Sequence, residues 1–224
     1  MRSASRSRTA GRSALAAGCL LLAAGCASYS ARPLDPRENA SAVIERKEVE
    51  GLYVAARDLS SPATSQQIFD RDLLSYGYVP VLLLLELDGQ AKNSFDVRRE
   101  DVRLCLRDGT RVSTEDPSVV ADEVGFSHFR SVLAFFLIFP GFFVAPSVST
   151  ANEQLLLDYQ AKAMKSIRMN PNMRSYGAVL FFPVPGDSEE AFTLEDAFVE
   201  LKTYKQGEKE ALGKCLEFPV HFAR

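Results

Sequence analysis

Short runs of β-type residues, each bounded by turn residues, recur along this chain and are interrupted only once. They cover Val49–Arg57, Tyr76–Leu87, Phe95–Arg98 and Val102–Arg107 with Arg111–Ser113, and then, after a long gap, Tyr176–Val184, Phe198–Tyr204 and Cys215–Phe222. Seven or eight strands with no helical pattern between most of them lack the crossovers that a parallel sheet requires, so antiparallel pairing is expected. Val102–Arg107 alternates apolar and polar residues, which buries one face and wets the other. Asp108-Gly109 behind it is the dipeptide of a type I′ hairpin, whose central residues both take positive φ. Cys215–Phe222 alternates likewise, with Pro219 marking an edge or bulge position. Val79–Leu85 is apolar on both faces and is expected to run beneath a further layer.

These features predict a mainly β domain over residues 47–224, an immunoglobulin-like antiparallel β-sandwich carrying an inserted apolar helical hairpin at 116–170. The likeness is one of architecture, since the chain has no Trp and no Cys-Trp-Cys signature. In the insertion, Asp116-Pro117 supplies an N-cap acceptor followed by a proline at the first helical position. A second helix is predicted from Thr150 to Met169, with Leu156, Tyr159, Ala163 and Ile167 along one face and Asn170-Pro171 as its stop. Between them Val132–Val148 holds 17 residues without a charge, centred on Pro140-Gly141. A membrane pass here would strand the two halves of one sandwich on opposite sides of a bilayer. Two readings stay open. The run covers the two-sided strand as ordinary core, or its tip meets the bilayer or a protein partner through Phe135, Phe136, Phe139, Phe142 and Phe143.

The N-terminus has a different character. Arg2, Arg6, Arg8 and Arg12 precede the apolar stretch Ala14–Ala24, the layout of a secretory signal over residues 1–25. It closes on Leu22-Ala23-Ala24-Gly25-Cys26, which resembles the lipobox of bacterial lipoproteins. The resemblance implies cleavage before Cys26, a thioether-linked diacylglycerol on that cysteine, and attachment to a membrane through it. Ala27, standing where an Asp would imply inner-membrane retention, implies outer-membrane sorting with the domain facing the periplasm. Residues 26–46 are polar, hold Pro33 and Pro36 and show no periodicity, as expected of a flexible tether. Loss of residues 1–25 takes four Arg from the 26 basic residues and none from the 29 acidic ones, leaving a net charge of about −7. That balance argues against a nucleic-acid partner.

In an oxidising periplasm Cys105 and Cys215 form a candidate disulfide, closing a loop of about 110 residues. Neither His128 nor His221 has a second ligand at helical spacing, so no metal site is expected, and no phosphate-cradling loop or nucleophile elbow implies a cofactor or an esterase. Asp70-Arg71-Asp72 and Glu100-Asp101 read as solvated acids at loop ends. The expectation is a non-enzymatic binding or scaffolding module of the cell envelope. The competing readings are a hydrolase or carrier in which Asp70, Asp72 and Asp101 converge, and a purely structural lipoprotein.

Overall fold

The computed structural model describes residues 28–35, 47–106, 108–126, 141–184, 198–205 and 216–219. The signal, Cys26, Phe135, Phe136, Phe139, His128, Cys215 and His221 lie outside them, as do the side chains of Phe142 and Phe143. The fold is mainly β, and among the described residues the strands pair antiparallel. In chain order the elements are β1 (Lys47–Val49), β2 (Leu52–Asp58), α1 (Pro62–Phe69), a 3-10 turn (Leu73–Tyr76), β3 (Tyr78–Leu87), β4 (Phe95–Cys105), β5 (Arg111–Ser113), α2 (Pro117–Glu123), α3 (Gly141–Lys162), β6 (Ile167–Met169), β7 (Ser175–Pro183), β8 (Phe198–Lys205) and β9 (Leu216–Pro219). One sheet has the order β1-β2-β3-β7 and the other β5-β4-β8-β9, with β6 also paired to β4.

Two compact units divide the described residues. The smaller holds Ser28, Tyr29, Gly125, Phe126 and α3 as far as Gln154. Within it, the Asn152 side-chain amide both accepts from the Phe126 N–H and donates to the Phe126 carbonyl. The larger unit holds both sheets, α1, α2, β6 and the end of α3 from Leu155.

Period-two alternation builds the core of the larger unit. Leu52 and Val54 of β2, Val79, Val81, Leu83 and Leu85 of β3, and Leu180 and Phe182 of β7 gather in one cluster with Phe95, Val97, Val102 and Leu104 of β4 and Val199 and Leu201 of β8. The cluster needs a change of phase inside β4. Phe95 and Val97 point inward at odd positions and Val102 and Leu104 at even ones, and a bulge between Val97 and Val102 makes the switch. The sequence splits the two halves into separate strands for the same reason.

The opposite face of β3 is buried too, as its composition requires. Leu82 is fully buried, and on the same side Phe181 of β7 meets Phe69 of α1 and Tyr159 of α3 with ring centroids 5.6 to 5.8 Å apart. Lys162, the last residue of α3, is buried beside this triad, donating to Asp158 one turn back and to the Ile68 carbonyl at the end of α1. Burial pulls its ammonium below the ordinary lysine value, against the pull of Asp158.

Four expectations are corrected. The second helix ends at Lys162 and not at Met169, because Ala163–Met164 lies along the free edge of β7, where the Met164 N–H donates to the Val179 carbonyl, and Ile167–Met169 pairs with Phe95–Val97. The tight hairpin with both central residues at positive φ forms at Glu50-Gly51, φ 49° and 89°. At Asp108-Gly109 only the glycine is left-handed, and bonds from Gly109 N–H to the Leu106 carbonyl and from Leu106 N–H to the Thr110 carbonyl close a longer loop. Glu100 and Asp101 are inside β4 and not in a loop. Part of the expected tether is docked, since the Arg32 N–H donates to the Gln67 carbonyl of α1.

Candidate functional site

The bulge that rephases β4 also changes its neighbours. Along one edge β4 pairs with β6 through Phe95–Val97 and with β5 through Arg103–Cys105, and the four residues Arg98–Asp101 face only Lys202 on the other edge. Where neither β6 nor β5 covers the edge, an open cleft of about 560 Å³ remains. This is within the range of small-molecule sites. Arg99, Glu100 and Arg103 of β4 form its floor, Ser113 and Thr114 at the end of β5 one wall, and Met164, Lys165 and Ser166 ahead of β6 the other.

Five hydrogen bonds and one ion pair fix the floor. The Arg99 N–H donates to Ser166 Oγ at 3.1 Å, and that hydroxyl donates to Glu100 Oε2 at 3.1 Å, so Ser166 bridges the gap in the ladder. The Arg99 guanidinium reaches across to the Glu115 carbonyl and stands 3.5 Å from Asp116. Arg103 donates to the backbone carbonyls of Glu100 and Val102. Among the described residues neither Arg103 nor Lys165 forms an ion pair. The Glu100 carboxyl is held below its ordinary value chiefly by its own backbone N–H and then by Ser166. The lining thus carries three cationic side chains and one carboxylate, with the hydroxyls of Ser113 and Thr114 on one wall.

The acids singled out from sequence do not assemble around this cleft. Asp70 caps α1 in the left-handed region and Asp72 precedes the 3-10 turn, both on the chain segment between β2 and β3, whereas Asp101 belongs to β4 in the other sheet. Asp72 Oδ1 and Asp101 Oδ2 are buried with no hydrogen-bond partner among the described residues. No group of three or more His, Cys, Asp or Glu there is arranged to hold a metal ion. Cys105 is buried on β4, its thiol 3.4 Å from Glu200 Oε2, which Arg111 approaches at 3.3 Å. Burial first, and then Glu200, raise the thiol to about 11.

The residues that sequence reasoning passed over are Arg99, Arg103 and Lys165. The local signal for Arg99 is the run Arg98-Arg99-Glu100-Asp101, which breaks the alternation between two apolar half-strands, whereas nothing in the sequence around Lys165 marks it. Comparison with protein-family models and with curated proteins finds no match for this chain. No helix among the described residues is long and apolar enough to cross a membrane.

Proposed function

We propose that the protein is a cell-envelope lipoprotein, anchored through diacylglycerol on Cys26 to the periplasmic face of the outer membrane, whose β domain acts as a non-catalytic binding or scaffolding module. The observation that carries this reading is the segment Leu22–Cys26 at the end of a basic and apolar leader. Several acyl chains on one N-terminus, each buried CH₂ contributing about 0.8 kcal/mol, anchor a domain without help from any spanning segment. In this reading the two sheets form an immunoglobulin-like sandwich, and the apolar run 132–148, with Phe135, Phe136, Phe139, Phe142 and Phe143, makes a second contact with the bilayer or a protein partner. The separation of Asp70 and Asp72 from Asp101 along the fold supports binding over hydrolysis.

The test is the mass of the N-terminal peptide from membrane-purified protein, together with alkaline extraction of two variants. A diacylated Cys26, lost in Cys26→Ala, supports the anchor; an unmodified cysteine refutes it. If secreted but unlipidated protein still sediments with membranes and deletion of residues 132–148 releases it, the second contact stands. If the unlipidated protein is soluble with the run intact, the second contact fails.

A further inference from the structure

We propose that the cleft between β5 and β6 binds a phosphate ester carried on a small polyol, chemistry of the glycerol-phosphate type. The proposal rests on the binding-module reading and assigns that module a ligand class. Charge, geometry and the remaining lining of the cleft point to it.

The first is charge. Arg103 and Lys165 approach the cleft from its floor and from one wall, and among the described residues no carboxylate pairs with either. Arg99 adds a third cation, already steadied by Glu115 and Asp116. In a chain with net charge −3, a pocket lined three to one by cations is the reverse of the average surface.

The second is geometry. A carboxylate offers two oxygens in one plane and is satisfied by a single guanidinium fork. Cations on different sides of a cleft suit a tetrahedral anion, which presents oxygens in several directions: a planar fork from Arg103, a point charge from Lys165. The third is the remaining lining. Ser113, Thr114 and the ionised Glu100 offer donors and acceptors to alcohol groups, and Met164 with the aliphatic stems of the basic side chains offers surface to a short carbon carrier. The volume exceeds what a bare oxyanion fills and leaves room for a short hydroxylated carrier. A bulge that interrupts a ladder at an edge is also a common way of opening a binding site.

The same group occurs in a lipid headgroup and in a soluble metabolite, and titration calorimetry on the full chain in a neutral polyoxyethylene detergent separates them. The probes are sn-glycerol 3-phosphate, glycerol, inorganic phosphate, and dihexanoyl phosphatidylglycerol and phosphatidylcholine below their micelle concentrations. Glycerol 3-phosphate or phosphatidylglycerol is expected to bind, inorganic phosphate several-fold more weakly and glycerol not at all. Affinity should fall as salt is raised. Arg103→Gln with Lys165→Gln should weaken binding at least tenfold in protein that still melts cooperatively, and Ser113→Ala with Thr114→Val should erase the advantage over inorganic phosphate. Tighter binding of phosphatidylglycerol assigns the site to a headgroup, and tighter binding of glycerol 3-phosphate to a soluble ester. Equal affinity in the Arg103/Lys165 variant, equal binding of phosphatidylcholine, or no binding of either ester overturns the proposal. The N-terminal mass of the same preparation keeps the two readings apart: a lipidated protein that binds no ester refutes the cleft alone, and an unlipidated one that binds refutes the anchor alone.

Discussion

Replacing Tyr159 with Ala tests whether the end of α3 is a fixed part of the larger unit's core or a loosely held cover. Tyr159, Phe69 and Phe181 are all fully buried. The Tyr159 ring stacks on Phe181 at 5.6 Å and 8° and meets Phe69 edge-on at 5.6 Å and 64°. Removing an aromatic ring from such a site costs about 3–5 kcal/mol, the transfer term plus the cavity left behind. In a chain of this size about 1 kcal/mol lowers Tm by roughly 2–4 °C, so Tyr159→Ala should melt roughly 6–20 °C below the parent. Tyr159→Phe separates packing from hydrogen bonding. It removes only the 3.4 Å bond to the Phe69 carbonyl and should cost about 1 kcal/mol.

A double-mutant cycle with Phe69→Leu and Tyr159→Leu, measured by urea titration, should leave a coupling of about 0.5–1.5 kcal/mol beyond the two single losses. If α3 were a loose cover, Tyr159→Ala would unfold with the parent's midpoint while amide exchange in α3 accelerated, and the cycle would close to zero. Either result would refute this account of how the two-sided strand β3 is buried.

Other predictions follow from the turn, the cap and the buried thiol. Gly51→Ala places a Cβ at φ 89°, 3.3 Å from the Ala91 Cβ, and should cost about 1–2 kcal/mol in urea titration. Glu50→Asn at φ 49° should instead be neutral or stabilising, because Asn tolerates the left-handed region. Asp116 caps α2 by accepting from the Ser118 N–H and hydroxyl, and those bonds hold its carboxyl below the ordinary aspartate value. Its folded-state value being the lower one, the contribution is present above the unfolded value and is lost as pH falls through the folded value. Asp116→Ala should therefore cost about 0.5–2 kcal/mol at neutral pH, with the gap to the parent closing below about pH 4 in melts at stepped pH. In reduced protein the Cys105 thiol, raised from 9.0 to about 11, should alkylate at pH 8 about a hundredfold more slowly in the folded chain than in urea, and labelling at the unfolded rate would contradict its burial.

What the sequence disclosed was whatever a short window contains. Alternation located most strands. The two-sided run Val79–Leu85 announced a covering layer, and Asp116-Pro117 marked the start of α2 where the structure has it. The hairpin at Glu50-Gly51 escaped because Glu is a poor left-handed residue and only the register of β1 on β2 holds it there. Helix α1 had its signal in Ser61-Pro62, a proline at the first helical position, but it is eight residues long and closes on a 3-10 turn before the next strand.

The cleft was illegible for a more specific reason, and it shares a cause with the misplaced end of α3. Helical spacing carries Leu156, Tyr159, Ala163 and Ile167 along one face, and local propensity alone would let the helix continue to Met169. Three long-range demands stop it earlier. Lys162 is bound at the end of α1, the outer edge of β7 takes Met164, and the edge of β4 takes Ile167–Met169. Buried backbone groups that would otherwise go unmatched favour this outcome over seven more helical residues. Once residues 163–169 are extended, Lys165 and Ser166 stand opposite the β4 bulge, and the gap between β6 and β5 acquires its second wall. Fold and candidate site thus depend on one boundary in the chain, set by strand edges that sequence windows around Lys162 do not contain.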